Sequence, residues 1–218
     1  MKTEDLIADL AQRVTPVRPL APPGIRVLRW LPLAAACGVA GVMLFGARPD
    51  VLDRLTQPDY LAIALLALMT SIVGVSTTLV LAVPGAERRP VLRMLTLALL
   101  GGWTVTLLWA VWNGGHGLPV SSDRHWPVCF ARVFLVSAVP AFMLFVMVRR
   151  GIPRRLGWTA AMAAAGAASV GALAAQLVCP IDDPGHGFLG HFVPVLAMVG
   201  VGLSARRLLS PPAQQRGG

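Results

Sequence analysis

Apolar residues gather into six long stretches, from about Trp30 to Gly46, Tyr60 to Val83, Val91 to Trp112, Pro127 to Val148, Leu156 to Val178 and Phe188 to Ser204. Each approaches the roughly 20 residues that a helix needs to cross a bilayer core. The segments between them are short, with Pro84 to Pro90 and Arg149 to Arg155 on one side and those from Ala47, Asn113 and Cys179 on the other. Short connections make consecutive spans antiparallel neighbours. The pattern predicts an all-α fold, an integral membrane bundle of six transmembrane helices. In the fifth stretch the small residues Ala163, Ala167, Gly171 and Ala175 recur on one face, where another backbone can come close, so this helix is expected to be the central packing element.

The segment before the first span has a different pattern. Thr3 can cap a short helix whose first turn carries Glu4 and Asp5, which suits the positive end of the helix dipole. Leu6, Ile7, Leu10 and Val14 fall on one face at helical spacing. So short a helix needs a partner to be stable. Its acidic first half argues for docking into a protein groove rather than lying on anionic lipid. Pro16, Pro19, Pro22 and Pro23 then form an extended linker. The expected division is a docking segment and linker over residues 1–29, a membrane domain over 30–205 and a tail over 206–218.

Composition excludes other classes. Hydrophobic residues make up 56% of the 218, charged residues only 13%, and mean hydropathy is +0.68, so no room remains for a soluble catalytic domain. The net charge of +9 does not signal nucleic acid, because the basic residues flank the spans. If the amino terminus is cytoplasmic, that side holds Lys2, Arg13, Arg18, Arg26, Arg29, Arg88, Arg89, Arg93, Arg149, Arg150, Arg154, Arg155, Arg206, Arg207 and Arg216. The other side holds Arg48, Arg54 and Arg124, and Arg132 falls inside a span. The positive-inside rule therefore places both termini in the cytoplasm. Trp30, Trp109, Trp112, Trp126 and Trp158 lie near span ends, as interfacial rings do, and Trp103 lies deep.

Candidate chemistry collects on the side away from the termini. Cys129 lies three residues before Arg132, on one helix face and near a helix start, and both features favour a thiolate. Arg132 can snorkel outward or pair with Asp182 or Asp183. Cys179 closes the fifth span and is followed by Asp182, Asp183, His186 and His191. Three fates are open to the two cysteines: a constitutive disulfide, a switchable dithiol, or a metal site. Cys129, Cys179, His186 and His191, with His125 nearby, are soft and borderline ligands suited to zinc, copper or cadmium. Cys37 reads as a small buried residue of the first span.

The opening Lys2-Thr3-Glu4-Asp5-Leu6-Ile7 with Leu10 and Pro16-Val17, the six spans, the cysteines at 129 and 179, and Cys179-Pro180 with His186, His191 and Pro194 resemble one known group over nearly the full chain. The sequence is similar to the membrane anti-sigma factors of the negative-regulator-of-sigma-F family. The resemblance implies an inner-membrane protein whose cytoplasmic amino-terminal segment holds an extracytoplasmic-function sigma factor. It also implies release of that factor when Cys129 and Cys179 meet heavy-metal or oxidative stress. Its partners would be the sigma factor and the bilayer, with no nucleic acid and no small-molecule substrate. It would not be an enzyme and would require no cofactor, a heavy-metal ion at most binding transiently.

Other readings fit less well. A membrane thiol oxidoreductase usually needs a close Cys-x-x-Cys pair, which is absent. A haem or metal redox protein wants histidines facing each other across helices, whereas His116, His125 and His186 read as loop residues and only His191 falls within a span. A transporter is disfavoured by uninterrupted spans without mid-membrane polar groups.

Overall fold

A computed structural model describes residues 3–4, 7, 11, 20–83, 90–113, 124–151, 153 and 155–209. Among them every regular element is helical: α1 (Pro23–Phe45), the short α2 (Val51–Arg54), α3 (Pro58–Leu81), α4 (Val91–Asn113), α5 (Trp126–Arg149) and α6 (Leu156–Val178). A last long rod joins α7 (Pro184–His186), a π-helical turn (Gly187–Phe192) and α8 (Val193–Leu209). Six of these rods are long and apolar enough to cross a membrane. Met43, Val105, Phe142 and Val201 face outward, an apolar surface that a bilayer covers and water would not tolerate. The protein is a multi-pass membrane protein.

The small residues of α6 place it at the centre, as its pattern predicts. Its membrane window is 72% buried, against 22% for α1, and it packs on α1, α3, α5 and α8. Ala167, Gly171 and Ala175 are buried, while Ala163 is half-buried at the margin of the stripe. A Cβ on Gly166 would lie 2.8 Å from the backbone nitrogen of Val75, and one on Gly171 would collide with the carbonyl oxygen of Val133. The backbones of α3 and α5 thus touch α6 directly, which only small side chains permit. On the far side of α3, α4 is tied by a Thr77–Thr96 hydroxyl pair at 2.9 Å, and deep Trp103 stacks against Phe192 at 5.0 Å.

Three expectations change. The first span starts at Pro23 rather than Trp30, because a proline costs nothing in the first helical turn, where its missing N–H would have no partner. Arg26 therefore enters the bundle and donates to the carbonyl of Met147 in the last turn of α5, a group the helix itself leaves unpaired. Trp30 is not an interfacial ring: it is fully buried, its indole N–H donating to the Pro140 carbonyl at 3.0 Å. Cys37 is half-buried rather than buried. In the amino-terminal segment Thr3, Glu4, Ile7 and Ala11 are helical and exposed, whereas Leu6, Leu10 and Val14 lie outside the described residues.

Candidate functional site

The ends of α5, α6 and α7 meet at the end of the bundle opposite the start of α1. Cys129 lies in the first turn of α5, where Pro127 opens the helix. Cys179 is the C-cap of α6, its N–H bonded to the Ala175 carbonyl. Both are buried, and the Cys129 thiol donates to the Cys179 sulfur across 3.7 Å. After Cys179 the chain turns back through Pro180 to Asp183, whose carboxylate accepts from the N–H groups of Gly185 and His186 and so caps α7. That cap sets the direction of His186, which is fully buried with Nε2 at 3.2 Å from the Cys179 sulfur.

His186 is thus no loop residue. It begins the last membrane rod, and the π-helical turn after it brings His191 alongside, ring centroids 5.5 Å apart and edge to face. In an α-helix residues five apart point about 140° away from each other. An i→i+5 ladder brings them to the same side. One ligand atom each from Cys129, Cys179, His186 and His191 then falls within 4.8 Å of all the others. Gly190 makes room for the group, since a Cβ there would lie 3.2 Å from the Cys129 Cβ and 3.4 Å from His186 Nε2.

The supporting residues divide. Asp183 positions His186, as described. Asp182 does not pair with Arg132: its carboxylate is taken by Arg48, at 3.0 Å, and by Arg54. The Arg132 guanidinium instead lies over the Phe45 ring at the end of α1, 4.9 Å from its centroid. His125 is exposed at the start of α5 and is not among the four converging ligands.

Arg48 is the residue that the sequence pattern most undervalues. Assigned only to the sparse charge of one face, it is 4% exposed. It donates to Asp50, Asp182 and the Cys179 carbonyl, and its backbone N–H bonds the Leu177 carbonyl at 3.1 Å. Its cation also rests over the Tyr60 ring. Tyr60 and Gln176 exchange hydrogen bonds with each other's backbone, at 2.9 and 3.1 Å, and join α3 to the end of α6. The available signal was the balance of charges: Arg48, Asp50 and Arg54 beside one span, Asp182 and Asp183 beside another.

The electrostatics follow from these bonds. Asp50 is held down to about 2 by its hydrogen bonds with Arg48, and Arg48 is raised by Asp50 and Asp182. The hydrogen bond donated by Cys129, with that of His186, holds Cys179 below the usual thiol range against the opposing effect of burial. The thiolate, which is the nucleophile and the metal ligand, is therefore favoured at Cys179. A cavity of about 220 Å³ is lined by Arg48, Tyr60, Trp103, Gln176, Cys179 and His191.

No curated protein and no solved structure matches the chain. The family model for the negative regulator of sigma F matches residues 10–210, most of its length. The chain belongs to the negative-regulator-of-sigma-F family, and is a membrane-embedded negative regulator of a sigma factor.

Proposed function

We propose that the protein resides in the bacterial inner membrane with both termini in the cytoplasm, holds an extracytoplasmic-function sigma factor, and releases it when Cys129 and Cys179 are oxidised or capture a heavy metal. The observation that carries this reading is the 3.7 Å approach of two sulfurs 50 residues apart in sequence, at the bundle end away from the docking segment. The clustering of basic residues on the other face supports the orientation. Leu6, Ile7, Leu10 and Val14 supply the apolar face that enters the sigma factor. In this reading the protein turns over no substrate, contacts no nucleic acid and needs no cofactor to hold its partner.

Oxidation would take two electrons from the Cys129 thiol and Cys179 thiolate to the oxidant, release the one Cys129 proton and join the sulfurs at about 2.05 Å. The start of α5 and the end of α6 would have to close by the difference. Arg48 clasps the Cys179 and Leu177 carbonyls, so the end of α1 is drawn along. The other end of α1 grips α5 through Arg26 and Trp30 and lies next to the docking segment. Two packings that differ by a few kcal/mol in affinity for the sigma factor suffice for release.

The test is a pull-down of the full-length protein with the host's alternative sigma factors, paired with a sigma-dependent reporter in cells. Leu6→Asp with Leu10→Asp is expected to abolish capture. Cys129→Ser with Cys179→Ser is expected to keep capture and lose the response to cadmium and to oxidant. A normal response in that double variant, or capture untouched by the aspartates, would sink the proposal.

A further inference from the structure

We infer that Cys129, Cys179, His186 and His191 form a closed four-ligand site for a tetrahedral divalent cation of the zinc–cadmium class. This rests on reading the cysteine end as the input site, and adds the two histidines as ligands. A tetrahedron with metal–sulfur bonds of about 2.3 Å and metal–nitrogen bonds of about 2.0 Å has sulfur–sulfur, sulfur–nitrogen and nitrogen–nitrogen edges of about 3.8, 3.5 and 3.3 Å. The sulfurs here are 3.7 Å apart and Cys179 is 3.2 Å from His186 Nε2, with His191 completing a quartet that spans no more than 4.8 Å. The separation is that of two sulfurs on one ion.

Charge and hydrogen bonding point the same way. Two thiolates cancel a divalent charge, so the loaded site is neutral, which a buried position demands. Arg48 does not oppose a cation, because Asp50 and Asp182 already neutralise it. His191 carries a buried Nε2 with no hydrogen-bond partner, an expensive state that an ion drawn into the quartet would relieve. Sulfur and imidazole ligands discriminate against magnesium and calcium. Asp183, through its cap, orients His186 from outside the ligand shell. The cavity that Cys179 and His191 line is also lined by Asp59, Asp182 and Asp183, and offers a cation a way in. Binding displaces the Cys129 thiol proton to solvent.

The experiment uses reduced full-length protein in detergent, titrated anaerobically with Co²⁺ and then Zn²⁺. One equivalent of Co²⁺ is expected to give the intense ligand-field bands of a four-coordinate ion with sulfur-to-cobalt charge transfer, and Zn²⁺ to bleach them. His186→Ala and His191→Ala should each weaken binding at least about tenfold. His191→Cys should retain a four-coordinate spectrum with stronger charge transfer, which separates ligation from a failure to fold. A weak octahedral spectrum, or tight binding indifferent to both histidine variants, would overturn the site. A protein that binds no cobalt yet still releases its sigma factor on cysteine oxidation would overturn it too, leaving the redox reading intact. Cobalt held by all four residues in a chain that captures no sigma factor would support the site and overturn the anti-sigma reading instead.

Discussion

Halfway along α6, Gly166 and Gly171 let the backbones of α3 and α5 come into direct contact, whereas at its end Gln176 and Cys179 meet their neighbours through polar side chains beside a cavity. A seam of backbone against backbone has no slack, because any rotation drives a carbonyl into a Cα. The polar end has alternatives: Arg48 holds two carboxylates and a carbonyl, and the sulfurs have room to close. In the proposed mechanism, movement on oxidation would be confined to the cysteine end. It would be passed on by α1, the long helix whose C-terminal end Arg48 ties to Leu177.

The most damaging way to test this contrast is Gly171→Leu, which forces a side chain into the Val133 backbone. It should cost more than the ~1–3 kcal/mol typical of overpacking and remove folded protein from detergent extracts. Gly200→Leu is its control, since nothing lies within 4 Å of a Cβ there, and thermal unfolding should leave it near wild type. Asp182→Ala acts at the other end and leaves Arg48 with one carboxylate. Because Asp182 is partly exposed, the loss of stability should be about 1 kcal/mol, while sigma-factor release on oxidation is blunted. Stability lost without any change in release would show that the Arg48 clasp does not transmit.

The smallest effect is a pH dependence. The carboxyl of Asp50 titrates at about 2 in the folded protein against an ordinary value of 3.8. Its contribution is fully present above that ordinary value and is lost as pH falls through the folded one. Thermal unfolding followed from pH 5 to pH 2 should therefore decline less steeply in Asp50→Asn than in wild type. Equal slopes would mean that Arg48 relies on Asp182 alone.

Much of the fold was legible because bilayer crossing is a one-dimensional constraint. Hydropathy along the chain determined the six helices, and the small residues from Ala167 to Ala175 determined which helix is central. Cys129 and Cys179 were legible as neighbours because they end consecutive antiparallel spans. The boundary at Pro23 was harder to read, since prolines both extend linkers and open helices. Arg48 and Arg54 were read as topology markers only, because charge counting assigns a side of the membrane and not a partner.

By itself, then, the sequence determined an all-helical membrane bundle, its central helix, the cysteine pair and, through its likeness over nearly the whole chain, its family. Tertiary structure decided that Asp182 belongs to Arg48 and not Arg132, because the distance between loops depends on how α1 is seated. It also decided that Trp30 is buried, since only the packing of α1 on α5 brings the Pro140 carbonyl within reach. Most consequentially, it decided that His186 and His191 lie side by side. Their spacing opposes them on an α-helix, and a single π-helical turn places them on the side of the two sulfurs.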